Sequence, residues 1–72
     1  MDPDGQLALY EAVAAGLKEA HRQVREVAAT DAERAELTRR LLAITGAAKH
    51  DLAGAARRLE RLRRELDARS QR

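Results

Sequence analysis

Residues 41–56 are LLAITGAAKHDLAGAA, and this stretch decides whether the second half of the chain is one helix or two. Only Lys49 and Asp51 in it clearly suit solvent, so the segment is apolar nearly all round. A lone glycine inside a helix costs only about 1 kcal/mol, and no proline follows Gly46. We therefore predict one continuous helix. The alternative is a break near Thr45-Gly46, which would give a monomeric three-helix bundle.

The second helix is predicted to begin at Asp31. The segment Thr30-Asp31-Ala32-Glu33 has the form of a capping box, in which Thr30 accepts from the Glu33 amide and the Glu33 carboxylate reaches back. Beyond it, apolar residues recur at helical spacing. They are Leu37, Leu41, Ile44, Ala48, Leu52, Ala55, Leu59, Leu62 and Leu66. The pattern predicts a long helix over about residues 31–68.

The first helix is predicted to be the shorter of the two. Asp2-Pro3 is typical of a helix start, because a proline at the first helical position loses no hydrogen bond. An apolar stripe follows at alternating steps of three and four residues. It consists of Leu7, Tyr10, Ala14, Leu17, His21, Val24 and Ala28. We predict one all-α domain over residues 1–72, with a helix over about 3–28 and a turn at about 29–30.

A hairpin of unequal helices leaves the end of the longer helix uncovered. Leu59, Leu62 and Leu66 would lie in this overhang, and a bare apolar stripe in water indicates a binding partner. Fourteen Leu, Ile and Val residues, with one Tyr and no Phe or Trp, make a thin core for a monomer, and the absence of Cys excludes disulfides. We therefore predict a homo-oligomer, most simply a four-helix-bundle dimer, with these three leucines as partner-binding residues.

His50 is the main candidate ligand-binding residue. On a continuous helix, Gly46 and Gly54 would lie one turn either side of it and clear a flat space beside the imidazole. A planar macrocycle needs such a space, and neutral imidazole is also a common zinc ligand. In a hairpin that turns near residue 30, Tyr10 falls opposite His50 and could orient its ring. The alternative is that the small residues serve only close helix packing.

Other candidate chemistry is weaker. His21 lies in the stripe of the first helix, where a polar residue that fixes register is favoured over a metal ligand. The chain has no Cys nucleophile, and no glycine-rich phosphate loop follows a strand. We therefore expect no enzymatic activity, unless a bound cofactor supplies it.

Charge is divided unevenly along the chain. Residues 1–36 carry eight acids and four bases, whereas residues 37–72 carry ten bases and four acids. The arginine-rich segment 57–69 suits a solvated helix face; three acidic residues interrupt it and no aromatic is present for base stacking, so nucleic acid is disfavoured. No apolar run approaches the roughly 20 residues that span a bilayer, and no targeting signal is visible. We expect a cytoplasmic protein or a soluble recombinant one.

The regular caps, the heptad-like repeats and the Ala/Leu/Arg/Glu-rich helices resemble computationally designed helical bundles. The surroundings of His50 resemble those in designed bundles that hold haem or a related porphyrin between histidines. The resemblance implies a self-assembling scaffold, with His50 as axial ligand, Gly46 and Gly54 as cleared faces and Tyr10 as a partner of the imidazole. The alternative function is a natural interaction module that docks on a partner protein through its basic C-terminal helix. The 12 Arg to 2 Lys are also typical of proteins from GC-rich genomes.

Overall fold

The computed structural model describes residues 3–71, with side chains from residue 5 onward. This part of the chain forms three α-helices: α1 (Pro3–Val27), α2 (Asp31–Ala48) and α3 (Leu52–Ser70). The prediction of an all-α fold is confirmed. The prediction of a two-helix hairpin is wrong, because the long second helix is divided into α2 and α3. None of the described helices is both long and apolar enough to cross a membrane.

The capping box at the start of α2 is present. The Thr30 hydroxyl accepts a hydrogen bond from the Glu33 amide at 3.0 Å. The Glu33 carboxylate reaches back to accept from the Ala29 amide at 3.2 Å, one residue earlier than the standard pattern. These bonds satisfy amides that would otherwise lack partners at the turn between α1 and α2.

The break between α2 and α3 lies at residues 49–51. The amide of Asp51 donates to the carbonyl of Ala47 at 2.8 Å, which closes the turn. The Asp51 carboxylate then accepts from the Gly54 amide at 3.0 Å and caps the new helix. Aspartate is among the preferred N-cap residues, so this side chain gives the chain a local reason to restart here.

Gly46, at which the alternative prediction placed the break, lies inside α2. The alternative was therefore correct in its number of helices and placed the break too early. An exposed glycine in a helix interior is tolerated at about 1 kcal/mol, whereas the aspartate cap supplies a positive signal for a new start.

The core is formed by one face of each helix. Its buried members are Val13, Ala20, Val24, Leu37, Leu41, Ile44, Ala55, Leu59, Leu62 and Leu66. Within the described residues no polar or charged side chain is buried. Hydrophobic burial and helix hydrogen bonds, rather than a buried polar network, therefore hold the three helices together.

The leucines of α3 are covered by their own chain. Leu59, Leu62 and Leu66 are 4%, 1% and 0% exposed, respectively. Because α3 folds back onto α1 and α2, the overhang expected of a continuous helix does not exist. These three leucines are core residues of their own chain, and their predicted role in binding a partner stays a prediction.

Residues at the helix surfaces fix the register of the bundle. Arg40 of α2 donates to both carboxylate oxygens of Glu65 in α3, at 2.9 and 3.2 Å. At the end of this helix pair that is farthest from the α2–α3 turn, Arg69 donates to Glu33. α1 and α3 approach closely at Gly16, where an added Cβ would lie 2.8 Å from the Leu59 side chain.

Candidate functional site

The turn between α2 and α3 brings together two of the residues that the sequence singled out. His50 lies in this turn and faces solvent, and Tyr10 of α1 is 61% exposed. Both line one open groove at this end of the bundle. Its walls are Gln6, Leu7, Tyr10, Ala48, Lys49, His50 and Leu52. The hairpin geometry predicted that Tyr10 lies opposite His50, and the two residues line the same groove.

The two glycines predicted to flank His50 lie on different helices. Gly46 is exposed on α2, and a Cβ added there would meet no atom within 4 Å. Gly54 is buried in the first turn of α3, and a Cβ there would collide with the Asp51 carboxylate. Gly54 therefore makes room for the helix cap. The continuous helix that would have placed one glycine a turn either side of His50 is therefore absent.

Neither histidine is surrounded by further metal ligands. Within the described residues, no group of three or more His, Cys, Asp and Glu side chains is placed to hold a metal ion. His21 is half-buried on α1, and His50 lies in the exposed turn. A zinc site needs three or four protein ligands, so each histidine by itself supplies only one of them.

An exposed apolar surface covers the N-terminal half of α1. Leu7 is 57% exposed and Tyr10 61% exposed, and Ala14 is also exposed. With the half-buried Leu17 they form what we call the α1 stripe: Leu7, Tyr10, Ala14 and Leu17. The sequence periodicity had assigned all four to a covered face.

The surroundings of the α1 stripe are also unusually apolar for solvent-facing helix surface. Between residues 7 and 15 the only charged side chain is Glu11. In contrast, the C-terminal half of α1 bears an exposed ion-pair cluster, in which a hydrogen bond from Arg22 holds the pKa of Glu19 below its ordinary value. Scattered exposed apolar residues need no explanation, but a contiguous patch marks a site of interaction.

A shallow groove of about 150 Å³ between α1 and α2 adjoins the α1 stripe. It is lined by Tyr10, Val13, Ala14, Leu17, Thr45, Ala48 and Lys49. This groove shares Tyr10, Ala48 and Lys49 with the groove that contains His50. One side of α1 thus presents a continuous concave surface, mostly apolar, with polar groups at its rim.

A third groove, of about 280 Å³, lies between α2 and α3. Its apolar floor is edged by the guanidinium groups of Arg40, Arg58 and Arg61. Arg40 is engaged with Glu65, and its hydrogen bond lowers the pKa of that carboxyl. Within residues 5–71 neither Arg58 nor Arg61 forms an ion pair, so two cations at this groove remain open to an anionic group.

Comparison with protein-family models, with curated proteins and with solved structures finds no match to this chain. The fold and the surfaces described above are therefore the features that indicate a function. Of these, the α1 stripe is the one that sequence reasoning missed. Its residues were visible in the helical periodicity, but the periodicity gave no signal that they would remain exposed.

Proposed function

We propose that the chain is a small helical interaction module, and that its binding surface is the α1 stripe with the adjoining groove between α1 and α2. The observation that carries the proposal is the exposure of Leu7 and Tyr10 on an otherwise nearly uncharged helix surface. Amphipathic helices commonly bind in such grooves by placing residues at i, i+3, i+4 and i+7 against them.

The energetics favour burial of this surface. Fully burying a large apolar side chain contributes about 1.5–3 kcal/mol relative to leaving it exposed. Leu7 and Tyr10 are each more than half exposed, so covering both recovers a few kcal/mol. Tyrosine is also enriched among the residues that dominate binding energy at interfaces, because its ring is apolar and its hydroxyl bonds at the rim.

A binding role fits this structure better than a cofactor scaffold. The α1 stripe offers a surface that a helical partner could cover, whereas among the described residues His50 belongs to no group of three or more potential metal ligands. We therefore assign His50 to the rim of the binding surface, where its imidazole lies beside Lys49 and contributes polarity.

The test is a selection of helical peptides from an unbiased display library on the immobilised protein. Binders are then measured against Tyr10→Glu and against Arg57→Glu, which alters the outer surface of α3 instead. We expect Tyr10→Glu to abolish binding, because it places a charge within the apolar contact, and Arg57→Glu to leave it unchanged. Equal binding to both variants would contradict the proposal.

The arginines at the α2–α3 groove favour a second candidate, docking of an acidic partner protein. Arginine binds carboxylates in a bidentate manner, and Arg58 and Arg61 lie beside the apolar floor formed by Ile44 and Leu62. We expect a labelled peptide of alternating Glu and Leu to bind here, and to bind more weakly as salt is raised. The double change Arg58→Glu, Arg61→Glu should abolish the signal. Binding that survives this change would reject the candidate.

A further inference from the structure

We infer that the occupant of the α1 stripe is a second copy of this chain, with the two α1 helices packed antiparallel about a two-fold axis. The inference rests on the proposed function and specifies its partner. The interface differs from the four-helix-bundle dimer expected from the sequence, because it uses the N-terminal half of α1 instead of the leucines of α3, which are buried.

The spacing of the α1 stripe is the same in both directions along the helix. Leu7, Tyr10, Ala14 and Leu17 are separated by three, four and three residues. In an antiparallel pair centred between Tyr10 and Ala14, each Tyr10 faces Ala14 of the second copy, and each Leu7 faces Leu17. An isologous interface requires a surface that is complementary to itself, and this stripe has that symmetry.

Side-chain size favours the antiparallel arrangement over a parallel one. Tyr10 opposite Ala14 sets the largest side chain of the stripe against the smallest, which is how facing layers interdigitate without voids. A parallel pair would set Tyr10 on Tyr10 and leave a gap where Ala14 faces Ala14. Ala14 also lines the groove between α1 and α2, so Tyr10 of the second copy would lie at the mouth of that groove.

The charges at the edge of the stripe agree with the same pairing. Glu11 and Lys18 are both exposed and lie seven residues apart, on the same edge of α1. In the antiparallel pair, Lys18 of the second copy lies about 7 Å along the axis from Glu11, at 1.5 Å per residue. Because helix side chains lean toward their own N-terminus, these two lean toward each other. They can therefore form an ion pair on each side of the two-fold axis.

The contact involves about three turns of α1 and the groove beside it, which is small for a stable dimer. Specific interfaces usually bury about 1,200–2,000 Å² in total, and smaller ones are weak. We therefore expect a monomer–dimer equilibrium that depends on protein concentration. Each monomer keeps its own three-helix core.

The first test is sedimentation velocity over a concentration series with the matched variants Ala14→Glu and Ala12→Glu. Both alanines are exposed on α1 and receive the same charge. They are two residues apart, which is more than half a helical turn, so they lie on nearly opposite sides of α1. We expect Ala14→Glu to weaken the dimer at least about tenfold, the equivalent of 1.4 kcal/mol, and Ala12→Glu to leave it unchanged. Far-ultraviolet circular dichroism checks that both variants remain helical.

The second test measures orientation by disulfide trapping, since the chain has no cysteine of its own. Tyr10→Cys and Ala14→Cys proteins are mixed and equilibrated in a glutathione buffer. The antiparallel dimer predicts that the mixed disulfide exceeds the statistical share, whereas a parallel dimer would favour the two symmetric disulfides. An excess of symmetric products would overturn the inference, as would equal weakening by Ala14→Glu and Ala12→Glu.

The two proposals fail in different ways. A wild-type protein that remains monomeric at every concentration overturns the dimer. If selected helical peptides still bind that monomer and depend on Tyr10, the interaction module stands with a different partner. If such peptides bind independently of Tyr10, both proposals are rejected.

Discussion

Truncating Leu66 to alanine tests whether α3 is covered by its own chain. Leu66 is 0% exposed, and it lies in the part of the chain that a two-helix hairpin would leave bare. Replacing a buried leucine by alanine costs about 2–5 kcal/mol, from lost burial and from the cavity that remains. We expect about 3 kcal/mol here. A 72-residue protein has a total stability of about 4–11 kcal/mol, so the loss is a large fraction of it.

The assay is urea unfolding followed by circular dichroism at two protein concentrations. The free energy of unfolding of so small a protein falls by about 1 kcal/mol per M urea, so the urea midpoint of Leu66→Ala should be about 3 M lower than that of wild type. If the wild type is only marginally stable, the variant is largely unfolded even without urea. The control is Leu42→Ala, the same change at a leucine of α2 that is 60% exposed. We expect this control to alter the free energy of unfolding by less than about 0.5 kcal/mol.

Two results would refute the reasoning. The first is a Leu66→Ala protein as stable as the Leu42→Ala control. The second is a difference from wild type that shrinks on dilution, because a leucine covered by another chain contributes only while that chain is bound. Self-association through the α1 stripe does not confuse the comparison, since both proteins carry the same stripe.

Substitutions at four further positions probe the local structure. Gly46→Ala should stabilise the protein by up to about 1 kcal/mol, because alanine has the higher helix propensity. Gly16→Ala should destabilise it by about 1–3 kcal/mol, because the added Cβ overpacks against a buried leucine of α3. Thermal melts of the two variants measure both effects. Asp51→Ala should cost about 1 kcal/mol by removing the cap of α3, and Asp51→Asn, which can still cap, should cost less; helicity and melting temperature measure both. The hydrogen bond from Arg40 lowers the pKa of Glu65, so its stabilisation is present at neutral pH and is lost as the pH falls from about 4.5 through the lower folded pKa. Glu65→Gln should flatten that part of the stability profile, by less than about 1 kcal/mol because the pair is nearly half exposed.

Local signals in the sequence predicted the start of α2 and missed the start of α3. Thr30 and Glu33 form a complete capping box, and the structure has its hydrogen bonds. Asp51, followed three residues later by Gly54, is also a cap, but it lies in an apolar segment that looked continuous. What favours the break is largely non-local, because folding back lets α1 and α2 cover the leucines of α3.

The candidate site was predicted only in part, for the same reason. The sequence places the α1–α2 turn correctly, and this turn sets Tyr10 and His50 at the same height along the bundle. Both residues line one groove. The flanking roles of Gly46 and Gly54 required a continuous helix, and the break separates them. Periodicity identifies the apolar face of a helix, but it does not tell which turns of that face a neighbour reaches.

The position of the break accounts for the exposure of Leu7 as well as for the buried core. α1 has 25 residues and is about 37 Å long, whereas α2 has 18 and is about 27 Å long. The two helices start from a common turn, so α2 ends level with Tyr10, and the first turns of α1 extend beyond it. Stopping α2 at Ala48 therefore lets α3 fold back with its leucines covered and leaves Leu7 beyond the end of α2.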